Sequence, residues 1–333
     1  MKFGAVALNQ ALGARVAHAV RTEGLVLKKG DIVTAAHVDT LLREGITEII
    51  VARLDEGDVA EDAAAQELAA AFCGANVRVE KPFTGRVNFF AEAAGVLRVD
   101  VAGVARANDV DEAITLATLP DFRAVQLGEM VATVKIIPFA VQQRLLDSAK
   151  HVGKLIQVMP FKPLKVGVIS TLLPGLKPSV VRKTLAVMER RLAQCGAKTQ
   201  REVRVLHDVD DLTFALEDMA ADHDLIVIFG ASAITDRRDV IPAALEAAGG
   251  QIVHFGMPVD PGNLLLLGKL GKVWVLGAPG CARSPKENGF DWVLQRLLAG
   301  VTVSAADIRA LGVGGLLMEI GSRPQPRLGS GDD

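Results

Sequence analysis

Two stretches of this 333-residue chain bring together residue types that could handle a phosphorylated ligand. In one, the apolar run Leu225-Ile226-Val227-Ile228-Phe229 breaks into Gly230-Ala231-Ser232, with Asp236 and Asp239 shortly after. In the other, Val273-Trp274-Val275-Leu276 breaks into Gly277-Ala278-Pro279-Gly280-Cys281, followed by Ser284, Pro285, Lys286 and Glu287. Small residues after a strand let backbone N–H groups approach a ligand closely. A helix starting just past such a loop adds free amides and the positive end of its dipole, which together favour an anion. Ser284 to Glu287 has the form of a capping box with proline at the first helical position, so a helix is expected from Pro285 to Leu298. Ser284 is then a helix cap or a ligand contact, and Lys286 a phosphate contact or an exposed charge. Asp236 and Asp239 could act as catalytic acids that hold a hydrated magnesium ion or position an oxyanion. The plainer alternative makes one of them the N-cap of a helix with Pro242 in its first turn. Cys281 has no evident histidine partner to activate it as a nucleophile.

Other chemistries find little support. Gly262 to Lys269 approaches a P-loop, but five residues separate its glycines and Leu270 stands where the magnesium-binding hydroxyl belongs. No GxGxxG follows a strand, which leaves a dinucleotide fold unsupported. The six histidines are scattered, and Cys73, Cys195 and Cys281 form no CxxC pair, so neither a zinc site nor a disulfide framework is expected. A net charge of −2 and 4% aromatic residues, with no tyrosine, argue against nucleic-acid binding. Apolar runs such as Leu264 to Leu267 are too short to span a bilayer, and the first residues do not read as a signal peptide. A cytoplasmic protein without a membrane partner is the expectation.

The elements that must position these loops follow from the apolar periods. Residues 1–152 read as a mixed α+β region. Mixed helical spacing covers Leu8 to Val20, and a strand and turn cover Gly24 to Asp31. Val38, Leu41 and Leu42 define a helix that Gly45 ends, and Ile49 to Ala52 a strand. Asp58 to Glu61 has a capping-box pattern ahead of an alanine-rich helix that stops near Cys73-Gly74. Phe89 to Ala94 reads as helical, Val131 to Ile137 as a strand and Val141 to Ala149 as a short helix. Arg86, Asn88 and Lys135 are either ligand contacts or polar residues at a domain seam. Gly153 to Lys165, with Pro160 and Pro163, reads as a boundary. Beyond it, 165–300 alternates strand and helix. Strands are expected at Val166–Ile169, Val203–Val205, Leu225–Phe229, Ile252–Val253, Leu264–Leu267 and Val273–Leu276. Helices are expected over about 179–194, 210–221 and 239–248. This predicts a three-layer α/β/α domain on a mostly parallel sheet. Such sheets collect ligands at the carboxyl ends of their strands. Residues 301–322 read as a helix and strand, and 323–333 as a tail. Asp260-Pro261-Gly262-Asn263 is a turn by composition, between strands of the same half.

With those residues in place, the chain resembles the molybdopterin-binding family of molybdenum-cofactor biosynthesis, which includes the molybdopterin molybdenumtransferases and adenylyltransferases. Arg237-Arg238-Asp239-Val240-Ile241-Pro242 is similar to the family's Arg-Asp-x-Thr-Pro element, and Gly277-Ala278-Pro279-Gly280 to its Gly-x-Pro-Gly turn. Gly249-Gly250, His254 to Val259 and Pro261-Gly262-Asn263 follow the segment between them, and Leu27 to Ile46 resembles the lead-in of the molybdenumtransferases. The resemblance implies a bound molybdopterin, or its adenylylated or molybdenum-loaded form, with magnesium or molybdate at Asp236 and Asp239. It implies ligand contacts at Ser170, Thr171, Gly230, Ala231, Ser232, Pro261, Gly262, Asn263, Gly277, Ala278, Pro279, Gly280, Cys281, Ser284 and Lys286. A homodimer or trimer and a nucleotidyltransferase or molybdoenzyme partner are implied in the same way. The chain departs from the family in three loops. Thr171-Leu172-Leu173-Pro174 replaces an acidic Gly-Asp-Glu, Gly230-Ala231 a double glycine, and Cys281-Ala282 an asparagine-proline. Loss of the acid removes a charge that metal or phosphoryl transfer would use. Three readings follow: pterin binding with molybdenum insertion, a non-catalytic pterin-sensing scaffold, and a nucleotide hydrolase of the competence-damage type.

Overall fold

In the computed structural model, which describes residues 1–317, the chain divides after Val158 into two units with separate hydrophobic cores. The part of the expected C-terminal strand beyond Leu317 and the tail expected over 323–333 lie outside the described residues.

The first unit begins with β1 (Lys2–Ala7), β2 (Arg15–Val16), β3 (Val20–Arg21), β4 (Val26–Leu27), α1 (Ala35–Arg43) and β5 (Glu48–Arg53). Strands β1 and β2 flank β5 in an antiparallel sheet, and β3 pairs with β4. The helical spacing over Leu8 to Val20 does not make a helix. It yields one 3-10 turn at Leu8–Gln10, interrupted by Gly13 in the left-handed region at φ +76°, and then β2. The helix expected around Val38, Leu41 and Leu42 forms as α1, started by Thr34 accepting from the His37 amide while His37 Nδ1 accepts from the Thr34 amide.

The unit continues with β6 (Asp58–Ala60), α2 (Glu61–Phe72), β7 (Val77–Val79), β8 (Arg86–Ala91), β9 (Gly95–Val99) and α3 (Val101–Asn108). It ends with β10 (Ile114–Thr118), β11 (Ala124–Val125), β12 (Met130–Ile136), β13 (Ala140–Gln142), α4 (Gln143–Lys150) and β14 (Ile156–Pro160). One sheet runs β10-β12-β8-β7, and α2 buries Ala64, Leu68 and Phe72 in the core beneath it. Two expectations fail here. Phe89 to Ala94 is not helical, because Val87, Phe89 and Ala91 alternate into that core with the period of a strand. Asp58 caps no helix; its carboxylate takes the N-terminal amine at 2.7 Å and the Asp55 amide at 2.8 Å. Lys135 pairs with Glu61 at the start of α2, and Asn88 accepts from Thr133 of the neighbouring strand at 2.9 Å, so both are engaged within the first unit.

The second unit contains β15 (Val166–Leu172), α5 (Pro178–Gln194), β16 (Thr199–Leu206), α6 (Val209–Ala220), β17 (Leu225–Phe229) and α7 (Val240–Ala247). After these come β18 (Gln251–Phe255), β19 (Leu266–Leu270), β20 (Val273–Ala278), α8 (Gly289–Leu298) and α9 (Ala305–Ala310). The sheet order is β16-β15-β17-β20-β19-β18, parallel except that β19 runs against both neighbours. Helices cover both faces. Leu225, Val227 and Phe229 enter a core with Met188 and Leu192 of α5, Phe290 and Leu294 of α8 and Ile308 of α9. Ile226 and Ile228 enter the other, with Leu212 and Leu216 of α6 and Ile241 and Leu245 of α7. That double burial explains the unbroken apolar run of β17. At roughly 1.5–3 kcal/mol for each large side chain fully buried, it makes the centre of the sheet the most strongly held part of the unit. The chain is therefore an α/β protein with a three-layer second unit on a mostly parallel sheet. No described helix is long and apolar enough to cross a membrane.

Candidate functional site

Parallel pairing brings the candidate loops to one rim. Ser170 of β15 stands opposite Phe229 of β17, and Phe229 opposite Ala278 of β20. The chain leaves all three strands in the same direction, so Thr171-Leu172, Gly230-Ala231-Ser232 and Pro279-Gly280-Cys281 lie side by side. The connection from β18 to β19 reaches the same rim, because Leu266 pairs with Gly277 at the start of the antiparallel strand. That connection carries Pro261, Gly262 and Asn263. The Gly289 amide donates to the Pro261 carbonyl at 3.0 Å, and a Cβ on Gly262 would lie 2.9 Å from the same amide. The turn is thus packed against the N-terminus of α8.

The glycines of the rim are not equivalent. A Cβ at Gly230 would meet the Ser232 carbonyl at 2.7 Å, and one at Gly277 would meet Ile234 at 2.8 Å. Both are required by packing. Gly280 differs, since nothing lies within 4 Å of the place a Cβ would take. Open space adjoins the middle of the second loop.

Side chains tie the loops together. Thr171, 1% exposed, accepts the Ala231 amide at 2.8 Å and lies 2.8 Å from His207 Nδ1. The ring's tautomer decides which of the Thr171 hydroxyl and Nδ1 donates to the other. Ser170 is equally buried, and its hydroxyl has no hydrogen-bond partner. Arg283, absent from the residues the sequence singles out, donates Nη2 to the Gly230 carbonyl at 2.7 Å and Nη1 to Thr184 Oγ1 at 2.9 Å. Its guanidinium lies 5.7 Å from the Phe229 ring centre, and burial lowers its pKa. Among the described residues no carboxylate pairs with it. An arginine so placed leaves Nε and one hydrogen on each terminal nitrogen uncommitted, the donor set that suits a phosphoryl or carboxylate oxygen. Its one sequence signal is its place between the Gly-x-Pro-Gly turn and Ser284.

The helix expected from Pro285 begins instead at Gly289. Asn288 is its cap, accepting from Phe290, while the Asp291 side chain accepts the Asn288 amide at 2.9 Å. Ser284 Oγ receives the Lys286 amide, at 3.3 Å, inside the preceding turn. The reason is Arg191 of α5, 7% exposed and paired with Asp291. Its terminal nitrogens donate to the carbonyls of Ala282 and Ser284, both at 2.7 Å, and of Lys286 at 3.3 Å. Three carbonyls two residues apart can converge on one guanidinium only if the chain is not helical there. Gly280–Arg283 forms a 3-10 turn, with Cys281 in its first turn.

Asp236 and Asp239 stay within their own loop. Asp239 flanks α7 as expected, but its carboxylate accepts from the Thr235 amide at 2.7 Å, the Thr235 hydroxyl at 3.1 Å and the Asp236 amide at 3.2 Å. The Thr235 amide is the main reason its pKa is lowered. Asp236 takes the side chain of Arg238 at 2.7 Å, which holds its pKa down to about 2. No cluster of three or more metal-ligating side chains occurs among the described residues. Two carboxylates already committed, one of them to a guanidinium, do not fit a magnesium site, and no step is assigned to a metal here.

Residues 5–53 match a family described as a domain of unknown function, DUF8806. No curated protein matches the chain. Among solved structures it is similar to the CinA protein of unknown function from Thermoplasma acidophilum, with 17% identity, TM-score 0.31, and coverage of 36% of this chain and 90% of that one. The molybdopterin biosynthesis MoeA protein from Pyrococcus horikosii gives 15% identity and TM-score 0.31 over 73% of this chain and 79% of that one. The molybdopterin biosynthesis enzyme MoaB from Thermus thermophilus gives 16% identity and TM-score 0.28 over 41% and 97%. Likenesses this slight carry no argument about what the chain does.

Proposed function

We propose that the second unit binds a phosphorylated pterin of the molybdopterin class, or its adenylylated or molybdenum-loaded form, at the rim of its sheet. The observation that carries this reading is the convergence of the loops after Phe229 and Ala278, with Arg283 bridging them and open space beside Gly280. The ligand's phosphate would lie on the amides of Gly230 to Ser232 and Gly280 to Cys281, with Arg283 supplying charge. Ser170, Thr171, the turn at Pro261 to Asn263, Ser284 and Lys286 would line the approach. The role that follows is binding in cofactor assembly or delivery. A specific observation favours a non-catalytic carrier or scaffold over molybdenum insertion: where the family has an acid after the first strand, this chain has Thr171 bonded to His207. Neither carboxylate of the next loop is free to replace it.

The test is purification from cells able to make the pterin, followed by oxidation and fluorescence of the released pterin. Gly280→Val is the matched variant, since its Cβ would have nothing within 4 Å and its methyls extend the side chain into that open space. The wild-type chain is expected to carry pterin, or to bind it at micromolar concentration when it is added. Gly280→Val is expected to keep its thermal stability and lose the ligand. Wild-type protein that neither carries nor binds pterin refutes the reading.

A further inference from the structure

The six-stranded sheet ends on one side at β16, and among the described residues no strand pairs with the outer side of β16. The opposite margin, β18, has α9 packed on it. The His207 amide, just past β16, donates to the Leu172 carbonyl at 2.8 Å. In a parallel ladder alternate residues turn both backbone groups to the same side, so Val203 and Val205 face β15 as His207 does. Glu202, Arg204 and Leu206 therefore turn their N–H and C=O groups to the open edge. A row of this kind is a template for another strand. The register shift between Thr199 and Arg201 confines the regular part of the edge to residues 201–206.

Edge strands are ordinarily guarded by lysine, by proline or by unmatched charge. Strand β16 contains neither lysine nor proline. Its two arginines are matched, Arg201 with Asp218 of α6 at 2.6 Å and Arg204 with Glu202 at 2.7 Å. The edge is thus close to neutral, and it adjoins exposed apolar surface. A groove of about 500 Å³ lies beside its C-terminal end, where Leu206 is 61% and Phe214 of α6 74% exposed. A strand laid along β16 would enter that groove and cover apolar side chains that now face water.

The order of the charges selects the occupant. Val203 and Val205 pack into the α6–α7 core, so Glu202 and Arg204 share the opposite face of the strand. Two copies of β16 can meet antiparallel about a two-fold axis at Val203. Glu202 of each copy then stands opposite Arg204 of the other, and Val203 opposite Val203. Both charged residues are among those whose backbone groups are turned outward, so each Glu202–Arg204 pair also exchanges both of its N–H···O bonds. Moving the axis to Glu202 or to Arg204 would set like charges face to face, which is unfavourable. The strand is complementary to itself in one register.

We propose that β16 is an interface with a second copy of this chain, paired antiparallel about a two-fold axis at Val203, so that two six-stranded sheets become one continuous sheet. The contact is isologous, each copy offering the same strip to the other. In the free chain Arg204 folds back on Glu202; in the pair each reaches across to the other copy. The interface uses none of the pterin contacts above and stands or falls without them.

The experiment is sedimentation velocity of the whole chain over a range of micromolar concentrations. The wild type is expected to dimerise. Glu202→Arg and Arg204→Glu each put like charges opposite one another at both crossings, and each is expected to weaken association about tenfold or more. An equimolar mixture of the two variants is expected to recover the dimer, because one copy then brings only positive groups to these positions and the other only negative ones. The double reversal in a single chain is expected to recover it as well. Recovery on mixing separates loss of the contact from loss of the fold. A wild-type chain that stays monomeric overturns the proposal. So does a dimer that withstands either reversal, which would place the contact elsewhere, as at the edge strand β1, and so do folded variants that fail to associate when mixed.

Discussion

Arg191→Met tests whether the loop after β20 is held from outside itself. The wild-type guanidinium makes the ion pair with Asp291 and caps three successive alternate carbonyls, with α5 and α8 supplying the two ends of the staple. Methionine fills most of the volume, so the loss is electrostatic rather than a cavity. Removing one partner of a buried pair costs about 3–5 kcal/mol, because the other charge stays behind without compensation. Asp291 keeps the Asn288 amide, and its side chain is 11% exposed, which argues for the lower end, about 3 kcal/mol. Against a total of roughly 5–15 kcal/mol for a folded domain, this is a severe loss. Both tryptophans, Trp274 and Trp292, lie in the second unit, so urea unfolding followed by their fluorescence reports on that unit alone. The midpoint is expected to fall without a change in slope. Arg191→Lys is expected to recover only part of the loss, since a point charge cannot reach three carbonyls and a carboxylate at once. Hydrogen exchange should quicken over residues 280–288. A loss below about 1 kcal/mol, as for an exposed pair, would refute the staple.

Three further outcomes follow from particular contacts. Gly167→Ala should cost about 1–3 kcal/mol in the same unfolding assay, because the added Cβ would lie 2.1 Å from Met219 Sδ and 3.1 Å from the His223 ring. Arg238→Gln should return the Asp236 pKa from about 2 toward 3.8, as read by carbon NMR of the carboxyl. Because that pKa is depressed by folding, the wild-type contribution is complete above 3.8 and is lost as pH falls through about 2. Cys195, its thiol pushed up to about 12 chiefly by burial, should be alkylated more slowly than Cys281 in the native protein, and at the same rate once unfolded, as followed by mass spectrometry.

What the sequence discloses and what it hides divide along a physical line. The Leu225–Phe229 run could be read as a doubly covered strand because burial on both faces leaves a pattern within five residues. Helix α5 was legible for a similar reason, since its apolar stripe and the closing Gly196 are local. The start of α8 was not. Ser284-Pro285-Lys286-Glu287 is a good local signal, but Asn288 with Asp291 is another, and Arg191, far back in the chain, decides between them by drawing the intervening carbonyls out of helical geometry. Phe89 to Ala94 misled because its composition favours a helix while its burial alternates. Arg283 had only its place after the Gly-x-Pro-Gly turn to mark it. Its partners are Gly230 and Thr184, 53 and 99 residues away, and a lone arginine in a loop carries no mark of that.

The charges around the rim bear on which chemistry it could support. In a transferase loop an acid after the first strand would hold a cation against the ligand's phosphate. Here that position is Thr171, whose hydroxyl joins the Ala231 amide to an imidazole. Asp236 and Asp239 are absorbed by Arg238 and by backbone amides, while Arg283 has no acidic partner among the described residues. The charge that joins the two loops is therefore a guanidinium. A rim built this way would attract a phosphorylated ligand directly, through guanidinium and amide N–H groups, and would gain little from a divalent cation. Direct attraction supports binding and retention. The proposed carrier or scaffold role rests on that direct attraction.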